Sequence, residues 1–139
     1  MPPTYRTGKI CYIEIPATDV KVSAKFFSRA FGWQTRQRSD GSTAFDDTVN
    51  EVSGTWVLGR TIATQPGLMV YIMVASAARA IEAVRSAGGE IVQQVDPHAR
   101  EAVATFRDPA GNLLGIYQQP GLADAEAHAA FSSPAAAGP

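Results

Sequence analysis

FRDPAGNLLGIYQ, residues 106–118, is the stretch on which the reading of this chain turns. It has the form of a strand end, a tight turn and a second strand. The turn is chemically specified: Asp108 and Asn112 can bond their own backbone, Pro109 fixes φ, and Gly111 accepts positive φ. The second strand is apolar, yet Gly115 stands in its middle. A glycine there weakens a strand and marks a close approach by another group. What approaches Gly115 depends on the elements laid around it.

Upstream of the turn, EAVATF (101–106) and EIVQQV (90–95) read as strands. SAARAIEAVRSAGG (76–89) reads as a helix, with Ala77, Ala80, Ile81 and Val84 on one face, Ser76 as its cap and Gly88 as its stop. LMVYIMV (68–74) is a strand before it. The same order occurs once more, earlier in the chain. KICYIEIP (9–16) is a strand ended by proline. TDVKVSAKFFSRAFGW (18–33) holds Val22, Phe26, Phe27, Ala30 and Phe31 at helical spacing, with Thr18 or Asp19 to cap the start and Gly32 to stop it. Three short strand candidates follow, around 33–38, 43–46 and 54–59, separated by polar turns such as SDGS.

The order is therefore βαβββ, twice, which is the pattern of an internal duplication. Tyr12 to Gly32 spans twenty residues and Met69 to Gly88 nineteen. The fold class expected is α+β: two βαβββ modules forming a cup or half-barrel of mixed sheets with the helices outside. The modules are 9–60 and 68–119, joined by the linker TIATQPG (61–67). Residues 1–8 are an N-terminal tail. The Ala/Pro-rich stretch 120–139 is expected to be disordered, apart from one weak helical turn around 123–131.

Composition excludes several classes. The chain has 139 residues, one domain's worth, and its formal charge of −1 leaves no footprint for nucleic acid or an anionic membrane. The single Cys11 rules out an internal disulfide, and no cysteine pair is present for a zinc site, so a cytoplasmic location is expected. No apolar run approaches the ~20 residues of a membrane span, and the N-terminus lacks the apolar core of a signal peptide.

Strand alternation assigns faces. Cys11, Ile13 and Ile15 should pack on the first helix, with Tyr12 and Glu14 pointing the other way. Val70, Ile72 and Val74 should face the second helix and leave Met69, Tyr71 and Met73 opposite. Leu114 and Ile116 should do the same and leave Leu113, Gly115 and Tyr117. The opposite faces would line the cup.

IEIPATDVKVSAKFFSRAFGW (13–33), together with the D-P-x-G-N turn at 108–112 and the duplicated βαβββ order, resembles the vicinal oxygen chelate superfamily of glyoxalases, bleomycin-resistance proteins and ring-cleaving dioxygenases. The resemblance covers about residues 9–118. It implies the fold and a homodimer, but no single activity, because the fold hosts lyases, epimerases, dioxygenases, thiol transferases and drug-binding proteins. It also implies four metal-ligand positions inside the cup. Carried over by motif, these fall on Tyr12, Gly54, Met69 and Gly115, with SGTWV (53–57) aligned to LGIYQ (114–118), so that Trp56 corresponds to Tyr117. None is an imidazole or carboxylate, which Zn, Ni, Mn and Fe require. On this reading no metal or other cofactor is expected.

The two glycines should then make room inside a lining of Tyr12, Trp56, Met69, Tyr71, Met73 and Tyr117, suited to an apolar or aromatic small molecule. Glu14 would orient that ligand, or pair with an arginine such as Arg60 or Arg107. The first function expected is a metal-free binding or sequestering protein. The alternative is a metal-independent isomerase, cyclase or lyase with Glu14 as general acid–base and tyrosine hydroxyls as donors. A glyoxalase-type metal-dependent lyase or dioxygenase comes third. His98 and His128 read as a loop and a tail residue, Cys11 as a small buried hydrophobe, and Asp108, Gly111 and Asn112 as turn residues rather than chemistry.

Overall fold

The computed structural model describes residues 2–132, with side chains to 129. In chain order the elements are β1 (Tyr12–Ala17), α1 (Val20–Phe31), β2 (Gln34–Gln37), β3 (Thr43–Asp46) and β4 (Ser53–Leu58). The second series is β5 (Tyr71–Val74), α2 (Ala77–Ala87), β6 (Glu90–Gln93), β7 (Val103–Arg107) and β8 (Leu113–Gln118), and α3 (Leu122–Ser132) follows. The sheets have the orders β1-β4-β3-β2 and β5-β8-β7-β6, the same topology twice. In each, the first and last strands of the module run parallel and the remaining pairs antiparallel. The fold is α+β, with two open four-stranded sheets.

Both long helices begin and end where local chemistry dictates. The Asp19 carboxylate accepts from the Val22 amide at 3.2 Å, and Ser76 Oγ from the Arg79 amide at 3.2 Å. Gly32 and Gly88 close them in the left-handed conformation, with φ of 75° and 107°.

The buried faces of α1 and α2 pack on the sheets and on each other, forming one core across both modules. Its centre is aromatic. Phe27 stacks on Trp33 at 4.7 Å, Trp33 on Phe45 at 4.6 Å, and Phe26 reaches Phe106 of the second module at 5.9 Å. The opposite faces of α1 and α2 carry Lys21, Lys25, Arg29, Arg79, Glu82 and Arg85, all exposed.

The modules are also stitched through the β7–β8 turn. Asp108 Oδ1 accepts the amides of Ala110, Gly111 and Asn112 at 2.9–3.1 Å. Asn112 Nδ2 donates to the Pro16 carbonyl in β1 at 2.7 Å, and Asn112 Oδ1 accepts the Ala63 amide of the linker at 2.8 Å. The linker is thus tied down at its midpoint.

Three expectations are corrected. Cys11 is exposed rather than packed on α1, because the strand expected over 9–16 begins only at Tyr12 and leaves Cys11 ahead of it. The strand expected at 68–74 starts only at Tyr71, and Leu68 is 89% exposed. The tail holds an eleven-residue helix, α3, where one turn was expected, in keeping with its alanine content. The rest of the expected disordered tail, 133–139, lies outside the described residues.

Candidate functional site

The faces turned away from the helices differ in chemistry. On the first sheet Tyr12 and Glu14 point outward, as alternation requires. Glu14 Oε1 accepts from Arg60 Nη1 at 2.6 Å, both side chains being nearly half exposed. Of the two arginines named for Glu14, the partner is Arg60. Arg107 instead donates to the Thr64 and Gly111 carbonyls. The Arg38 guanidinium donates to the Tyr12 hydroxyl and lies over its ring, 5.4 Å from the centroid. Asp46 accepts from Arg36 Nε at 2.9 Å and Ser53 Oγ at 2.6 Å. The Arg36 contact holds its carboxyl below the ordinary range. This face is a lattice of paired charges.

Gly54 and Trp56 do not belong to it. The parallel register sets Gly54 beside Ile13 and Trp56 beside Ile15, on the helix side. Trp56 is 4% exposed and packs against Phe45 at 4.9 Å and Phe27 at 6.1 Å. The residues of β4 that share the outward face with Tyr12 and Glu14 are Ser53 and Thr55. Aligning the two glycines displaced β4 by one residue, and in a strand that exchanges the two faces.

Within the core, Trp56 Nε1 is buried with no hydrogen-bond partner. An unmet donor costs about 1–3 kcal/mol, comparable with the packing lost on shrinking the ring. Trp56→Phe is therefore expected to leave stability within about 1 kcal/mol of the parent in urea unfolding, unusually mild for a buried tryptophan.

On the second sheet the assignment of faces holds. Tyr71 and Met73 point outward, 52% and 60% exposed, and Tyr71 lies beside Gly115 in the register with Tyr117 two residues on. A Cβ on Gly115 would stand 2.4 Å from the Tyr71 ring, and one on Gly54 would stand 2.4 Å from the Phe45 ring. The groups that approach both glycines are aromatic rings of this chain. The glycines are seats for those rings and do not open space for a ligand.

The outward face of the second sheet forms a groove of about 430 Å³ lined by Tyr71, Met73, Glu101, Val103 and Tyr117. It brings together three of the site residues read from sequence. Tyr12 and Glu14 lie on the other sheet, Gly54 and Trp56 in the core, and half-buried Met69 ahead of β5. Glu101 and Val103 were missed. Val103 could have been found, since Val103 and Thr105 alternate with the buried Ala104 and Phe106 along β7. His98 is an exposed loop residue.

The family model of the Glyoxalase/Bleomycin resistance protein/Dioxygenase superfamily matches residues 9–116. This chain belongs to that superfamily. It is 33% identical over 129 residues to a glyoxylase-like domain-containing protein of Didymella fabae, covering 82% of this chain and 96% of the relative. A glyoxalase/bleomycin resistance protein/dioxygenase family enzyme from Burkholderia phytofirmans has the same fold, with TM-score 0.64 and 15% identity over 78% of this chain and 97% of that one. So does a glyoxalase-related enzyme from Fulvimarina pelagi, with TM-score 0.61 and 22% identity over 81% and 89%.

The superfamily's divalent metal can be tested against the donors of this member. Tyr12, Met69 and Gly115 offer no imidazole or carboxylate, and Gly115 is covered by Tyr71. The corrected register moves the fourth-strand position from Gly54 to Ser53 or Thr55. Their hydroxyls donate to Asp46 and to the Thr43 carbonyl. Among the described residues no three His, Cys, Asp or Glu side chains come together as a ligand set. The donors do not fit the metal. Nor is any helix among the described residues long and apolar enough to cross a membrane.

Proposed function

We propose that this superfamily member is a metal-free binding or sequestering protein for an apolar or aromatic small molecule, acting in the cytoplasm as a homodimer. One observation carries the reading. Tyr71, Met73 and Tyr117 stand together in a groove on an open sheet face, where a monomer gains nothing from exposing them. Aromatic faces stack on planar ligands and a methionine adapts to their outline. A second copy packed over the open faces would deepen the groove and cover the sheet edges.

Glu14 has no observation in its favour as a general base. Its carboxylate is taken by Arg60, and it does not line the groove.

The test is titration of the protein with a fluorescent aromatic probe, 8-anilinonaphthalene-1-sulfonate, followed by the same titration of variants. Tyr71→Ala and Tyr117→Ala are each expected to weaken binding about tenfold, the scale of one lost aromatic contact. Glu14→Gln should leave the affinity unchanged. Parent-like binding by both tyrosine variants would sink the assignment. Stoichiometric metal in protein reloaded with Zn, Ni, Mn or Fe and desalted would sink the metal-free reading. Both tryptophans are core residues, so their emission is a poor reporter of this groove.

A further inference from the structure

A second groove, of about 350 Å³, lies on the helix side of the first sheet, between α1 and the β2–β3 hairpin. One wall is Lys21, Lys25, Ser28 and Arg29 of α1. The other is Thr35, Gln37 and Thr43, with Ala24 as floor. The three cations stand at i, i+4 and i+8, so they share one helix stripe with a rise of about 6 Å from each to the next. No carboxylate lines the groove.

None of the three cations makes an ion pair among the described residues; Arg79 and Arg100 make none either, but Lys21, Lys25 and Arg29 stand together in one groove. The acid two residues before Lys21, Asp19, accepts from the Val22 amide, and Asp46 pairs with Arg36 on the other face of the sheet. This pattern opposes helix formation. Like charges four residues apart repel, and Lys21 sits in the first turn, where the helix dipole disfavours a cation and the Asp19 cap is what offsets it. A chain of net charge −1 thus concentrates three unpaired cations in one concavity, against hydroxyl and amide groups that can serve as neutral hydrogen-bonding partners.

We infer that this groove binds a small polyphosphate anion. The cations neutralise its charge, and the hydroxyls of Thr35 and Ser28 bond its oxygens. The stripe is short and confined to one cavity, which favours a small anion over a nucleic acid strand. It lies on the opposite side of its sheet from Glu14 and is built entirely from the first module, so it is independent of the Tyr71 groove.

The test is isothermal titration of the full chain with inorganic tripolyphosphate, with ATP in a parallel arm to separate a free polyphosphate from a nucleotide. One equivalent should bind, and the affinity should fall steeply with added salt. Lys25→Glu is expected to weaken binding at least about tenfold, as for a lost charge-assisted bond. Thr35→Val, which keeps every charge, should weaken it about threefold, the scale of a neutral hydrogen bond. Arg79→Glu on α2 makes the same charge change outside the groove and should have no effect.

Equal weakening by Arg79→Glu and Lys25→Glu would mean diffuse attraction and would overturn the site. So would the absence of saturable heat with either anion, or binding of a DNA duplex more tightly than of both. Lys25→Gln should raise the melting temperature slightly by relieving repulsion along α1. A fall instead would show that Lys25 serves the fold, and that too would overturn the inference.

Discussion

Gly54→Ala is expected to destabilise the protein by about 3–5 kcal/mol, lowering the melting temperature by about 10 °C or more, or to prevent folding at 37 °C. The added Cβ would stand 2.0 Å from the Ile13 carbonyl oxygen and 2.4 Å from the Phe45 ring. Neither can yield. The carbonyl is part of the parallel β1–β4 pair, and Phe45 is 1% exposed between Trp33 and Trp56. Truncating Phe45 in the same molecule would not rescue the variant, since the backbone clash remains. Gly115→Ala, chemically the same change, should cost no more than about 1 kcal/mol. There the three nearest atoms all belong to the Tyr71 ring, which is half exposed and can swing into water. Thermal melts followed by circular dichroism compare the two directly. If Gly54→Ala melted like the parent, β4 would have to sit one residue out of its described register. The outward placement of Trp56, and with it a tryptophan-lined cup, would then return.

That pair of glycines also marks the limit of what could be read from the amino acids. Helix phases, caps and stops follow from interactions within four residues, so Asp19, Gly32, Ser76 and Gly88 were legible. The Asp108–Asn112 turn was legible for the same reason, as was the duplicated order of elements. The outward face of β5 and β8 was legible because each strand abuts a locally specified element, the Ser76 cap after β5 and the Asp108–Asn112 turn before β8, which sets its phase. The face of β4 was not. Gly54, Thr55 and Trp56 are buried in succession, so burial does not separate its faces, and its phase is fixed by pairing with β3 and with β1, the latter about 40 residues away. Matching glycine to glycine displaced it by one, turned Trp56 from core to cup, and made two occupied positions look empty. The approach to Gly115 was illegible in the same way, because Tyr71 lies 44 residues upstream and meets it only across the sheet. The separation of Glu14 from the Tyr71 groove follows from how the two modules pack, which no local pattern encodes.

Asn112 is where that packing is held, and its replacement carries the second large effect. The side chain is 3% exposed and joins three segments: β1 through the Pro16 carbonyl, the linker through the Ala63 amide, and the turn through Asp108 Oδ2 at 2.9 Å. Asn112→Ala leaves all three groups unmet, two of them on the backbone, and should cost about 3–5 kcal/mol. Asn112→Asp keeps the shape but replaces both Nδ2 bonds with a carboxylate against the Asp108 carboxylate. Burial already pushes the Asp108 carboxyl above its ordinary value, against the pull of its amide donors. A second buried carboxyl raises both further, so the folded state holds a proton that the unfolded chain releases. Stability of this variant therefore falls as pH rises above the ordinary aspartate range, and is partly recovered as pH is lowered toward that range. Urea unfolding at about pH 4.5 and pH 7 separates the two: the deficit of Asn112→Asp should shrink markedly in acid, while that of Asn112→Ala should change much less. A deficit of Asn112→Asp that is the same at both pH values would mean that the two side chains are not in contact. The β7–β8 turn would then not be the clasp that fixes the second module, and its Tyr71 groove, against the first.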